Sequence, residues 1–156
     1  MAIYTKIGDK GTSLIKGEKI PKDSLLFEVL GSVDELISFL GLARTEAPAE
    51  DKREILTIQK DLLKLNSLIC GFKGKFSQEK VNRLEKKIDQ TMKAKSRIKT
   101  FVIPGENEYS ALLHIARTVA RRAERKAVAL NKESRINPII LAYLNRLSDY
   151  LFALSL

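Results

Sequence analysis

Tryptophan is absent from the 156-residue chain, and cysteine and histidine occur once each, as Cys70 and His114. A lone cysteine excludes an internal disulfide, and one histidine beside it leaves no ligand set for a zinc or di-iron centre, so no protein metal site is expected. Aromatic residues make up only 6% of the chain, which provides few rings for stacking on single-stranded bases. No apolar run approaches the roughly 18 residues of a membrane span. The opening MAIYTKIGDKG has no apolar segment of the secretory kind. A cytoplasmic protein without a membrane partner is the expectation. Wholesale disorder is excluded too, because 44% hydrophobic and 30% charged residues lie close to globular averages. The length suits one domain over 1–156 with a core that needs no staples. Its 28 basic residues outnumber 19 acidic ones for a net charge of +9, which favours an anionic partner.

Glycines gather early, at Gly8, Gly11 and Gly17, in a stretch with neither a strand nor a helix period. The pattern predicts a glycine-hinged loop over 5–21, preceded by a short strand at 2–6. Helical periodicity follows. Asp23 or Ser24 caps a helix to about Arg44, with Leu26, Leu30, Val33, Ile37 and Leu40 inward. Pro48 and Gly71 bound a second helix. Ser77 starts a third, with a densely charged outer face. The extended segment Phe101-Val102-Ile103-Pro104-Gly105 ends in a turn signal, a fourth helix runs from about Asn107 to Asn131, and Asn137-Pro138 opens a fifth. The fold class read from this order is all-α: a five-helix up-and-down bundle with an N-terminal glycine-containing loop.

The fourth helix carries most of the chemistry. Ala116, Ala120, Ala123, Ala127 and Leu130 form a narrow stripe that permits close helix approach, and Arg117, Arg121 and Arg125 stack on its flank. Two readings are open: a solvated basic face with Glu124 as ion-pair partner, or a cluster of planar, permanently charged donors for a polyphosphate. On the fifth helix Asn145, Ser148 and Phe152 share a flank. The two polar residues are either boundary positions or uncharged hydrogen-bonding groups for a ligand beside the arginines. The run Thr5-Lys6-Ile7-Gly8-Asp9-Lys10-Gly11-Thr12-Ser13 has the glycines, hydroxyls and lysines of a phosphate cradle, without Walker A spacing. Asp34 and Glu35 lack a local cation, so a distant partner such as Arg117 is admissible. Gly31, which costs a helix about 1 kcal/mol relative to alanine, serves either close packing or ligand access. His114 and Cys70 read as a partly buried histidine and a small core residue.

Taken together, YTKIGDKGTS (4–13), GEKIPKDS (17–24), EVLGSVDELISFLGLAR (28–44), FVIPG (101–105), ALLHIARTVARRAERKAVAL (111–130) and YLNRLSDYLFAL (143–154) resemble the PduO-type ATP:cob(I)alamin adenosyltransferase family. The resemblance implies a homotrimer of five-helix bundles with active sites between subunits. It also implies transfer of the 5′-deoxyadenosyl group of ATP to the cobalt of a reduced corrinoid, with release of triphosphate. It places Thr5, Lys6, Ile7, Gly8, Thr12, Ser13 and Lys22 around the triphosphate with Mg²⁺. Arg121, Arg122, Glu124, Arg125 and Asn145 hold the nucleotide from the other side. The catalytic set it implies is Asp34, paired with Arg117 across subunits, and Phe101 beneath the corrin. A different class of function, a basic helical nucleotide- or RNA-binding module without catalysis, rests on the lysine-rich third helix and the net charge. A family member that only senses nucleotide or carries corrinoid is a third.

Overall fold

The computed structural model describes residues 3–4, 6–93, 95 and 100–156. A single turn of 3₁₀ helix, Ile7–Lys10, leads into an antiparallel hairpin of β1 (Thr12–Ile15) and β2 (Glu18–Pro21). Five helices follow: α1 (Leu25–Glu46), α2 (Ala49–Ile69), α3 (Gln78–Lys93), α4 (Glu108–Glu133) and α5 (Pro138–Ser155). The bundle is thus as the periodicity predicts, with a two-stranded sheet added where a loop was expected. The hairpin register pairs Thr12 with Pro21 and Ile15 with Glu18, leaving Lys16-Gly17 as a two-residue turn. Both turn residues have positive φ, 53° and 87°, the geometry that matches strand twist. Lysine is an uncommon first residue for such a turn, and four-residue strands are too short for alternation to register. The strand expected at 2–6 is not formed at Ile3, Tyr4 or Lys6; Met1, Ala2 and Thr5 lie outside the described residues.

Ser24 caps α1 with its side chain accepting from the Phe27 amide, Asn107 caps α4 by accepting from Ser110 at 2.8 Å, and Asn137 caps α5. The buried face of α1 is turned from the expected one. Val29, Val33, Leu36, Leu40 and Ala43 are deepest, while Leu26, Leu30 and Ile37 sit at the margin. The cause is that α1 packs against α4 on one side and α2 on the other, so it buries a sector rather than a stripe. The stripe alanines Ala116, Ala120, Ala123 and Ala127 are fully buried, as close approach to α1 and α5 requires. Gly31 is exposed, and a Cβ there would meet nothing within 4 Å, so the fold of this chain does not demand it.

Helix α3 packs on α5 and is fastened to α2 by a cluster that periodicity does not reveal. Asp61, on the inward face of α2, accepts from Lys80, from Arg83 at 2.7 Å and from the Tyr143 hydroxyl at 3.2 Å. Arg83 also meets Glu54 at 3.2 Å.

Candidate active site

Helix α4 turns its basic residues in two directions. Arg121, Glu124, Arg125 and Val128 face α5, and with Asn145 they line a shallow hollow of about 270 Å³. Within it Asn145 Nδ2 donates to Glu124 Oε1 at 2.9 Å, and Arg125 donates back to the Arg121 carbonyl at 3.3 Å. Among the described residues, neither Arg121 nor Arg125 forms an ion pair, and Glu124 forms none either. Of the solvated-face reading only the ion pair fails to form: the Asn145 amide occupies Glu124, and two exposed guanidiniums stand one turn apart without a counter-charge among the described residues. Arg122 points elsewhere. One residue on, about 100° around the helix, it pairs with Glu35 of α1, and Lys126 below it pairs with Glu28. The RRAER run thus supplies two flanks, and only Arg121, Glu124 and Arg125 meet Asn145. Glu35 has found its distant cation, which is Arg122 rather than Arg117. Ser148 is buried and donates to the Asn145 carbonyl at 2.9 Å, which makes it a boundary residue and removes it from the ligand face.

One turn before Arg121 on α4, Arg117 is half-buried with its guanidinium carbon 5.8 Å from the centre of the Phe152 ring. His114, 4% exposed, meets the same ring edge-on at 6.1 Å. Burial, then the charge of Arg117, hold the His114 imidazole below the ordinary histidine range. Arg117, His114 and Thr118 border a second hollow of about 280 Å³ beside the Pro104–Gly105 turn. Asp34 is exposed on α1 and has no ion-pair partner among the described residues, so the chain by itself does not bring Asp34 and Arg117 together. Phe101 is fully exposed and Ile103 is 87% exposed, so this segment covers no part of the chain's own core.

The N-terminal segment expected to form a phosphate cradle stands apart from these hollows. Lys6 and Gly11 flank its 3₁₀ turn with φ of 59° and 75°. The Lys22 amide donates to the Gly11 carbonyl at 2.9 Å, and the Lys22 amino group lies so close to Gly8 that a Cβ there would sit 3.0 Å from Nζ. Gly8 and Lys22 are therefore neighbours, with Ile7 half-exposed and Thr12 and Ser13 opening β1. Thr5 falls outside the described residues. The hairpin is tied to the bundle by Lys16 Nζ donating to the Gly71 carbonyl at 2.9 Å. No hydrogen bond among the described residues joins the cradle to Arg121 or Arg125. Nor is there any group of three or more His, Cys, Asp or Glu side chains arranged to hold a metal ion among those residues.

The sequence pattern of a family described as cobalamin adenosyltransferase matches residues 3–156. The chain is 43% identical to the corrinoid adenosyltransferase of Bacillus subtilis (strain 168), an alignment covering 98% of this chain and 84% of that one. It is 39% identical to the corrinoid adenosyltransferase of Citrobacter freundii, over 98% and 92% of the two chains. Among solved structures it superimposes with a TM-score of 0.92 on a variant PduO-type ATP:corrinoid adenosyltransferase from Lactobacillus reuteri complexed with cobalamin and ATP. That match has 35% identity over 99% of this chain and 89% of that one. A second variant from the same organism, complexed with ATP, gives a TM-score of 0.91 at 36% identity.

Proposed function

Since the chain belongs to the cobalamin adenosyltransferase family, we propose that it transfers the 5′-deoxyadenosyl group of ATP to the Co(I) of a corrinoid. Co(I) supplies the electron pair that forms the Co–C5′ bond, the C5′–O bond breaks, and triphosphate leaves with its electrons. No protein general base is needed, which suits a chain with one buried histidine. What the protein must supply is alignment and positive charge where the leaving oxygen becomes negative. The observation that carries this reading is the uncompensated pair Arg121 and Arg125 beside the Glu124–Asn145 hydrogen bond. Arg117, Arg121 and Arg125 rise in steps of about 6 Å along α4. The ladder begins beside the Pro104–Gly105 turn, and in this reading the exposed Phe101, three residues before Pro104, meets the corrin. Lys6, Ile7, Gly8, Thr12, Ser13 and Lys22, with Thr5 before them, form the cradle for the triphosphate. In this reading Arg122 steadies α4 against α1 through Glu35 and reaches the nucleotide less directly than its neighbours. Mg²⁺ fits as a companion of the triphosphate, needing one or two protein oxygens and no protein cage; Asp9 and the Thr12 and Ser13 hydroxyls are the candidates.

Among the described residues no hydrogen bond joins the cradle to the arginine hollow, and Asp34 and Arg117 are each without an ionic partner. A ring of three chains resolves both: a heterologous interface sets the Asp34 carboxylate of one subunit against Arg117 of the next and brings the cradle of one to the hollow of another. Light scattering is expected to give a trimer at micromolar concentration; a monomer with and without ATP overturns the shared site. A cytoplasmic location follows from the need for ATP and a strongly reduced corrinoid. An RNA-binding role is disfavoured because Lys80, Arg83 and Lys87 of α3 are engaged by Asp61 and Glu54.

Replacing Arg121 with alanine tests the nucleotide site directly. Loss of a charge-assisted contact to a phosphate is expected to weaken ATP binding by about 1.5–3 kcal/mol, while the melting temperature hardly moves because the side chain is exposed and unpaired. Calorimetry that returns wild-type affinity would remove Arg121 from the site.

A further inference from the structure

We infer that His114 is a positioning residue: its uncharged ring fixes the Arg117 guanidinium on Phe152, at the mouth of the hollow beside Pro104–Gly105. This rests on the reading that Arg117 belongs to the active site. His114 and Arg117 lie three residues apart on α4 and so share a face. The Phe152 ring, arriving from α5, meets both, the imidazole at 6.1 Å and 66° and the guanidinium at 5.8 Å. Both His114 ring nitrogens, and Nε of Arg117, are buried without a hydrogen-bond partner among the described residues. Packing alone does not ask for histidine there, because an apolar ring would fill the space without leaving two nitrogens unbonded. What imidazole adds is the ability to take a proton.

A protonated His114 would stand one helical turn from Arg117 with little water to screen the two charges. The facing group from its own helix is Arg117. From α5 it is the uncharged Phe152, and from the 104–105 turn it is uncharged backbone and proline. No carboxylate of α1 or α5 bonds to it among the described residues. Burial and Arg117 both oppose protonation, so the folded chain holds fewer protons than the unfolded chain just below the ordinary histidine value of about 6.5. Stability tied to this site is therefore full above that pH and is lost as pH falls through and below it. The same proton pushes Arg117 off the ring.

Two measurements test this. Because His114 is the sole histidine, the chain gives one set of imidazole NMR signals, and its titration can be followed without residue assignment. Its midpoint is expected to rise in Arg117→Ala; an unmoved midpoint overturns the coupling, whether or not the chain turns over corrinoid. Rates with ATP and pre-reduced corrinoid are then compared between about pH 5 and 8. Wild type is expected to lose kcat on the acid side, and His114→Phe, which keeps a neutral ring, to lose only what protonation of ATP takes from both forms. At neutral pH His114→Ala is expected to lower kcat by about tenfold to a hundredfold, as a displaced positioning group does, with the KM for ATP hardly changed. An acid limb in His114→Phe equal to that of wild type overturns the inference, as does wild-type kcat in a folded His114→Ala. If His114→Ala does not fold, the phenylalanine variant and the NMR titration decide. Absence of turnover in wild type overturns the proposed function instead, and the NMR result still stands or falls by itself.

Discussion

Asp61→Ala is expected to cost about 3–5 kcal/mol of stability, the usual penalty for removing one member of a buried ion cluster. The Asp61 side chain is 5% exposed and accepts from three donors on two other helices, Lys80 and Arg83 of α3 and Tyr143 of α5. Without it, two cations face each other and a buried phenol loses its acceptor. The Tyr143 ring packs edge-on to Phe76 at 5.1 Å, and the Lys80 amino group lies 5.6 Å from the centre of that same ring, so the disturbance spreads to the packing that seats α3. Lys80 and Arg83 keep 23% and 29% of their side chains in water, which points to the lower end of the range. Urea unfolding at fixed protein concentration measures it, as a shifted midpoint with an unchanged slope. Asp61→Asn retains the shape and one acceptor, so its loss is expected to be smaller. ATP affinity in the folded fraction is expected to stay near wild type, since Arg121 and Arg125 lie on another flank of the bundle. A loss below about 1 kcal/mol would mean that the cluster behaves as a solvated surface pair.

This cluster also marks what the sequence conceals. Asp61 stands beside Leu62, three residues beyond Ile58, so the α2 pattern already holds an aspartate within its inward sector. An inward carboxylate signals a buried partner, yet sequence spacing cannot name a lysine and an arginine from a helix that begins 17 residues later. The five helices were legible because each has a period and a stop or start residue: Ser24, Pro48, Gly71, Asn107 and Asn137-Pro138 all stand at element ends. The hairpin was not, since two four-residue strands carry too few positions for a period. The α1 face was misjudged by about one residue because periodicity finds the most apolar stripe, whereas burial depends on how many neighbours flank the helix. At the site, spacing placed Arg121 and Arg125 together correctly. Spacing also sets Arg122 about 100° away from them; it is the family resemblance that groups Arg122 with the nucleotide, and its partner Glu35 is a tertiary fact. Phe152 could be assigned to the flank of Asn145 from spacing, but its place beneath both Arg117 and His114 depends on how α4 and α5 cross.

Phe101→Ala is expected to slow adenosylation from Co(II) corrinoid at least about tenfold more than from pre-reduced Co(I), a difference of about 1.4 kcal/mol in barrier. Within the chain the Phe101 ring is fully exposed and Ile103 nearly so, which argues against a plug for the end of the bundle. A fully exposed aromatic side chain is matched by a large, flat, apolar ligand face, and covering it is worth about 1.5–3 kcal/mol. That contact stabilises either cobalt state, so its loss weakens corrinoid binding in both assays. The oxidation states differ in what else the ring does. Co(II) accepts a fifth ligand, and donation from that ligand raises the orbital that must receive the next electron, making reduction harder. In the proposed site the phenyl ring lies against the lower face and keeps water and the base away; alanine leaves room for them to return. Co(I) is already reduced and has filled the orbital that an axial donor would use, so it gains little from exclusion. Hence the excess loss falls on the Co(II) route, while ATP affinity stays near wild type because Arg121, Arg125 and the cradle are untouched. Phe101→Trp, which keeps a flat apolar face, is expected to recover much of the Co(II) rate. Equal slowing from both cobalt states would reduce Phe101 to a contact surface for the corrin, with no part in setting its coordination.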